Sequence, residues 1–176
     1  MSETLKLTAS ESVRIVNASA AGLEVEATYG PGGEAPPAHL HPDQDEYFEV
    51  LDGALRVRVD GVDRELAVGD TLDGPRRSVH QMWNPSTEPA RVRWTTTPAG
   101  RTEQWFRELD ELQRSGKTTG SGTPSPLAMG VLLREYRDVF RLAGPQPLLR
   151  PTLSALGLAG RLAGNRPAHT GKSVGG

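Results

Sequence analysis

Turn-forming residues divide the first hundred residues of this chain into short apolar segments, and this rhythm constrains the fold more than any other feature. The chain of 176 residues contains 20 glycines and 14 prolines. Up to about residue 100 they interrupt the apolar stretches roughly every ten residues, which is typical of an antiparallel all-β domain. A chain of this length can form one domain around a single core. We therefore expect one β-domain at the amino-terminal end.

The clearest hairpin lies in the middle of this region. Residues 55–59 read LRVRV, and this alternation predicts a strand with one buried face. Asp60-Gly61 is a typical two-residue turn, and the second strand follows in the segment VDRELAV. Further strands are predicted over residues 12–17, 22–29, 46–51, 79–83 and 91–97. Because barrels leave few strand edges exposed, we predict an all-β jelly-roll barrel over residues 1–100.

The pattern becomes helical beyond residue 98. Apolar side chains recur at helical spacing over Thr102–Arg114 and again over about residues 126–142. A third apolar segment follows Pro151, and its small residues permit close packing on another helix or subunit. We predict a helical extension over residues 101–165 that packs on the barrel or on a dimer partner, and a disordered tail over residues 166–176.

Charge and composition exclude several classes of partner. The net charge is -2 and the 20 basic residues are scattered, so we expect no nucleic-acid partner. No apolar run approaches the roughly 20 residues of a membrane span, so we expect no membrane contact. The amino terminus has no export signal, which predicts a cytoplasmic location. Because cysteine is absent, any metal must be bound by nitrogen and oxygen ligands.

Three histidines and a glutamate lie within the predicted strand region. His39 and His41 are two residues apart, so strand alternation places both imidazoles on one face. Glu46 shares its face with apolar residues, and His80 shares its face with Met82, so both point towards the interior. Each residue alone is compatible with a structural role. Together they favour one divalent metal site, because a metal offsets the cost of burying the carboxylate.

Two segments resemble the cupin family. Residues 33–53 read GEAPPAHLHPDQDEYFEVLDG and match the first cupin motif throughout, from its glycine through His-Leu-His and Glu46 to the closing glycine. Residues 69–84 read GDTLDGPRRSVHQMWN and are similar to the second motif. The second motif normally has glycine where this chain has Arg77. We favour a variant turn over the alternative that Arg77 offers a cationic group near the barrel mouth. The resemblance covers about residues 20–98 and does not explain the helices.

The resemblance implies a jelly-roll barrel with a metal ion bound by His39, His41, Glu46 and His80. The ion implied is Mn, Fe, Ni, Zn or a similar divalent metal. Four protein ligands leave one or two positions open, which permits oxygenation, isomerisation or lyase chemistry. No separate general base is evident, so Glu46 is also the predicted catalytic residue.

Strand alternation predicts an apolar pocket that suits a small hydrophobic or aromatic molecule. Its predicted lining is Phe48, Val50, Leu55, Val57, Met82 and Trp94. We predict a metal-dependent enzyme acting on a small molecule, with a dioxygenase-like oxidoreductase favoured over an isomerase or lyase. The alternative is a non-catalytic cupin that binds or senses a small molecule. We also predict a homodimer, formed through the amino-terminal strands and the apolar helices.

Overall fold

The computed structural model describes residues 3–169, in which two antiparallel sheets face each other and a helical region follows. The strands are β1 (Thr4–Lys6), β2 (Glu11–Ala18), β3 (Leu23–Tyr29), β4 (His39–Leu40), β5 (Asp45–Asp52), β6 (Ala54–Val59), β7 (Val62–Ala67), β8 (Thr71–Gly74), β9 (His80–Trp83), β10 (Ala90–Thr97) and β11 (Arg141–Leu142). The helices are α1 (Thr102–Arg114), α2 (Pro126–Glu135) and α3 (Gln146–Leu162). The predicted jelly-roll barrel with a carboxy-terminal helical extension is confirmed.

One sheet has the strand order β1-β2-β3-β10-β5-β8, and the other has the order β11-β4-β9-β6-β7. Strand β3 shows how the sequence sets the two faces of the first sheet. Its residues alternate strictly between buried and half-buried positions. The carboxylates of Glu24 and Glu26 face outward and pair with arginines of neighbouring strands. Because the other face is apolar, the core lies between the two sheets.

The predicted hairpin is confirmed as β6 and β7, with Val59 opposite Val62. Asp60 and Gly61 both have positive φ, at 48° and 86°. Positive φ at both central residues is the geometry that matches the twist of the flanking strands.

Helix α1 packs its apolar face on the barrel. Trp105, Phe106 and Leu109 are buried in the same core as the strands. The backbone N–H of Lys6 in β1 donates to Asp110 Oδ1 at 2.9 Å, which ties the helix to the edge of the first sheet. Strand β1 itself pairs with β2 of the same chain.

The prediction of one helix over residues 126–142 is wrong in its last part. Helix α2 ends at Glu135, and after a turn the chain forms β11, which pairs antiparallel with β4. Without β11, the two-residue strand β4 would be an edge strand with unpaired backbone groups. Pairing with β11 gives these groups hydrogen-bond partners. This tertiary pairing overrides the helical spacing of the local sequence.

Helix α3 packs closely against α2 through small residues. A Cβ placed on Gly160 would lie 2.5 Å from the carbonyl oxygen of Leu127. Of the tail predicted over residues 166–176, residues 170–176 lie outside the described residues, so its disorder stays a prediction. At His169 the backbone N–H donates to Glu108, and the backbone carbonyl accepts from the Tyr136 hydroxyl at 2.6 Å.

No helix within residues 3–169 is both long and apolar enough to cross a membrane.

Candidate metal centre and cavity

The two sheets bring the predicted metal ligands together. His39 in β4 lies directly opposite His80 in β9, and His41 follows immediately after β4. One ligand nitrogen from each histidine can be chosen so that all three lie within 4.8 Å of one another. Glu46 enters from β5 of the facing sheet, and its Oε2 lies 3.4 Å from His41 Nε2 and 3.1 Å from His80 Nε2.

Backbone carbonyls orient all three imidazoles. In each histidine the Nδ1 atom faces a carbonyl oxygen: His39 faces Pro37 at 3.0 Å, His41 faces Val139 at 2.6 Å, and His80 faces Ser78 at 3.2 Å. A carbonyl oxygen can only accept a hydrogen bond, so Nδ1 carries the proton in these contacts. Each Nε2 then has its lone pair available to bind a metal. In many metal sites the ligand histidines are oriented in the same way, by a hydrogen bond from the other ring nitrogen to an acceptor.

The two oxygens of the Glu46 carboxylate have different surroundings. Oε1 accepts a hydrogen bond of 3.1 Å from Trp94 Nε1. Oε2 is buried and accepts no well-aligned hydrogen bond from any described residue, although two imidazole nitrogens approach it. Nitrogen lone pairs and a carboxylate oxygen repel one another unless a cation lies between them. Three imidazoles and one carboxylate form a donor set that suits a first-row divalent metal, so the residues fit a metal ion.

Burial and mutual contact set the charges of this cluster. Burial lowers the pKa of His39 to about 3, with the neighbouring histidines adding to the effect. Burial also lowers the pKa of His41, so both imidazoles are neutral at pH 7. Burial alone would raise the pKa of Glu46, but the imidazoles outweigh it and lower this pKa. For His80, burial is outweighed by the Glu46 carboxylate, which raises the imidazole pKa. In the absence of a metal, the Glu46 carboxylate therefore favours protonation of His80.

A cavity of about 550 Å³ adjoins the cluster, and His39, His41 and His80 form part of its wall. This volume lies within the range of small-molecule sites. Of the predicted pocket residues, Phe48, Met82 and Trp94 line this cavity. The other three are buried in the core and do not line it: Val50, Leu55 and Val57.

The helical extension supplies part of the wall that sequence reasoning did not assign to the site. Trp105, Phe106 and Phe140 line the cavity. The Phe140 ring stacks on the His39 imidazole with 4.4 Å between centroids, and it also stacks on Trp105 at 5.1 Å. The helical spacing predicted packing on the barrel or on a dimer partner, but it carried no sign that these residues reach the metal site. The extension therefore covers the metal centre and also orients His39 and His41.

Two further residues of the cavity wall, Glu11 and Tyr29, were missed from the sequence. The predicted strand began at residue 12, one position too late. Extending the alternation of Val13 back by two residues would have placed Glu11 on the inner face.

Arg77 preserves the turn of the second motif despite replacing glycine. Its φ is 71°, a left-handed conformation that glycine adopts more easily. Its backbone N–H donates to the carbonyl oxygen of His41 at 2.8 Å, and its side chain is exposed. The loop thus holds the segment after β4 in place, and the guanidinium does not line the cavity.

A family model described as the cupin domain matches residues 25–96, which include the metal cluster and most of both sheets. Residues 25–96 of the barrel are a cupin domain. Outside this match lie β1, β2 and the helical extension.

Curated proteins and solved structures are similar to parts of this chain. The tetracenomycin polyketide synthase protein TcmJ of Streptomyces glaucescens is 35% identical over 66 residues, which are 38% of this chain and 44% of that protein. The oxidoreductase iacF of Pestalotiopsis fici is 43% identical over 53 residues, which are 30% of this chain and 26% of that protein. The chain thus spans less than half the length of these curated relatives. The solved structure of KdgF from Halomonas sp. has 19% identity and a TM-score of 0.49, covering 54% of this chain and 86% of that one.

Proposed function

We propose that this protein is a metal-dependent cupin enzyme that acts on a small organic molecule in the barrel cavity. The observation that carries the proposal is the cluster of three carbonyl-oriented imidazoles, two of which approach the buried Oε2 of Glu46, beside a cavity of about 550 Å³. Such a cluster is costly to bury without a bound cation. The metal would be held by His39, His41, Glu46 and His80.

A bound divalent ion would supply a Lewis acid with open positions for a substrate oxygen, for water or for dioxygen. The chain itself contributes orientation and exclusion of water. The Val139 carbonyl and the Phe140 ring fix two of the imidazoles, while the apolar wall keeps bulk water away from the reacting groups. Glu46 remains the predicted catalytic carboxylate, with Trp94 holding its Oε1.

We favour a dioxygenase-like oxidoreductase over an isomerase or lyase. Two of the matching relatives, from Pestalotiopsis fici and Arthrobotrys oligospora, are named oxidoreductases. The apolar aromatic wall is compatible with oxygenation of a hydrophobic molecule, whereas sugar or phosphate substrates would need more polar partners. The metal is one of Mn, Fe, Ni or Zn.

A non-catalytic binding or sensing role is the second candidate, and the surroundings of Glu46 favour it. One oxygen of this carboxylate is engaged by Trp94 and the other faces two imidazoles. Neither oxygen is free to transfer a proton to a ligand in this arrangement.

The first test is elemental analysis of the untagged protein and of His80→Ala, with His169→Ala as the matched control. His169 is the one histidine of the chain outside the cluster, and its side chain is exposed. We expect about one ion per chain in the wild type and in His169→Ala, and a large loss in His80→Ala. Absence of metal from all three would contradict the enzyme and favour the binding role.

Oxygen uptake then separates the reaction classes. The metal-loaded protein is mixed with a panel of small aromatic and aliphatic carbonyl compounds in an oxygen electrode, with His80→Ala in parallel. Uptake that requires His80 supports an oxygenase. Conversion of a compound without oxygen uptake would instead support an isomerase or lyase.

A homodimer is also proposed, and exposed leucines on the last helix support it. Leu148, Leu158 and Leu162 of α3 are 69%, 56% and 82% exposed. Sedimentation equilibrium at micromolar concentration tests this, and a monomer alone would contradict it. The cytoplasmic location stays a prediction.

A further inference from the structure

Glu11 and Tyr29 form a polar pair on the inner face of the first sheet. They are direct cross-strand partners at the adjoining ends of β2 and β3. Tyr29 is 8% exposed, and Glu11 lies two residues before the fully buried Val13, so both belong to the inward face. Both also line the cavity that contains the three histidines.

The Glu11 carboxyl lacks the partner that an inward carboxylate usually has. Within residues 3–169 the Tyr29 hydroxyl interacts with it, and no cationic side chain forms an ion pair with it. Burial consequently raises the pKa of Glu11 to about 7, with the Tyr29 hydrogen bond opposing the shift. Burial and the two carboxylates of Glu11 and Glu46 raise the pKa of Tyr29, so its hydroxyl remains protonated at pH 7. The pair therefore offers an acceptor and a donor side by side.

Folding alone does not account for this pair. Glu11 is half-buried, and a carboxyl withdrawn from water without a cationic partner reduces stability, so apolar side chains would fill these inward positions at lower cost. Polar groups with shifted pKa values that converge in a cavity are candidates for ligand contact.

The rest of the wall indicates the shape of the ligand. Aromatic rings contact one another along it: Phe48 with Trp94 at 5.5 Å, and Trp94 with Phe106 at 5.0 Å between centroids. Flat apolar surfaces of this kind favour a planar ring through stacked or edge-to-face contacts.

We propose that Glu11 and Tyr29 bind the hydroxyl group of a planar aromatic molecule whose ring packs against the aromatic wall of the cavity. The ligand hydroxyl donates to the Glu11 carboxylate and accepts from the Tyr29 hydroxyl, which turns its single proton from Glu11 to the ligand. An ether or an unsubstituted ring cannot reproduce this pairing. The inference rests on the proposed function in taking this cavity as the substrate site, and it names the substrate class as hydroxyaromatic.

The test compares two probes that differ by one methyl group, 2-naphthol and 2-methoxynaphthalene. Binding of each probe to the metal-free full-length protein is measured by fluorescence at about pH 8, where Glu11 is mainly ionised, and at about pH 6, where it is mainly protonated. Because a hydrogen bond to a charged group contributes about 1.5–3 kcal/mol, we expect at least a roughly tenfold preference for 2-naphthol at the higher pH. The preference should fall several-fold at the lower pH.

Conservative variants assign this preference to the two side chains. Glu11→Gln keeps the shape and should make the preference small and independent of pH, while Tyr29→Phe should reduce it at both pH values. Tyr47→Phe is the matched control, because Tyr47 faces outward on β5 and is 38% exposed. It should behave like the wild type.

Three results would overturn the inference: no binding of either probe, equal binding of both probes to the wild type, or an unchanged pH-dependent preference in Glu11→Gln. Metal content is measured separately by elemental analysis. A metal-binding protein without the hydroxyl preference would leave the proposed function standing and remove this inference. A metal-free protein that retains the preference would do the reverse.

Discussion

His41 has two roles that a pair of substitutions can separate. Its Nδ1 donates to the Val139 carbonyl at 2.6 Å, which joins the helical extension to the barrel, and its Nε2 faces Glu46 in the metal cluster. Asparagine places an amide N–H close to the position of Nδ1 but has no atom at the position of Nε2. Alanine has neither. His41→Asn should therefore lose metal binding but keep the hydrogen bond to Val139. His41→Ala should lose both metal binding and that hydrogen bond.

The expected magnitudes follow from these contacts. Without metal, His41→Ala leaves the Val139 carbonyl without its partner in a buried position, which costs about 1–3 kcal/mol in the free energy of unfolding. For a chain of this size that lowers Tm by roughly 2–12 °C. His41→Asn should stay within about 1 kcal/mol of the wild type. Zinc at about 100 times its Kd should add about 2.7 kcal/mol to the wild type and nothing to either variant.

The assay is scanning calorimetry of the full chain with and without zinc. His169→Ala is the control for a histidine substitution and should respond to zinc like the wild type. A metal-free His41→Asn as unstable as His41→Ala would show that the Val139 contact contributes little. Stabilisation of His41→Asn by zinc equal to that of the wild type would refute the assignment of Nε2 as a ligand.

Three further predictions follow from the same structure. Glu46 raises the pKa of His80, so below that pKa zinc must displace a proton to bind. The zinc affinity, measured by chelator competition, should rise about tenfold per pH unit below that pKa and level off above it. A flat profile from about pH 5.5 to 7 would contradict this. Arg77→Gly removes a left-handed strain and should raise the free energy of unfolding in urea by about 0.5–1 kcal/mol; a decrease would contradict the strain. Gly160→Ala should lower it by about 1–3 kcal/mol through overpacking against α2, while Gly120→Ala, which meets open space, should not; equal effects would contradict the close packing.

The strand region was predictable because its signals are local. Alternation in residues 55–59 and the Asp60-Gly61 turn identify a hairpin without reference to any other part of the chain. The same periodicity places His39 and His41 on one face and turns Glu24 and Glu26 outward. The predicted strand boundaries were less accurate. Because the predicted β2 began after Glu11, the polar pair that Glu11 forms with Tyr29 in the cavity wall was missed.

The structure of the segment after α2 could not be predicted from the sequence, and the reason is physical. Helical spacing and pairing with β4 compete for residues 136–142, and the deciding free energy comes from the edge strand and from the Phe140 stack on His39. Neither contact is encoded near residue 140 in the sequence.

By itself, the sequence determined the barrel, the inward direction of the four metal-site residues and the apolar character of the helices, because side-chain periodicity depends only on the local backbone. The tertiary structure alone decided that the extension closes over the histidines, that the Val139 carbonyl orients His41, and that Glu11 faces the same cavity as the metal cluster. Those relations join residues about 100 positions apart, as in the contact of His41 with Val139 and the stack of Phe140 on His39. They arise from the way the two sheets and the helices pack, which local pattern does not specify.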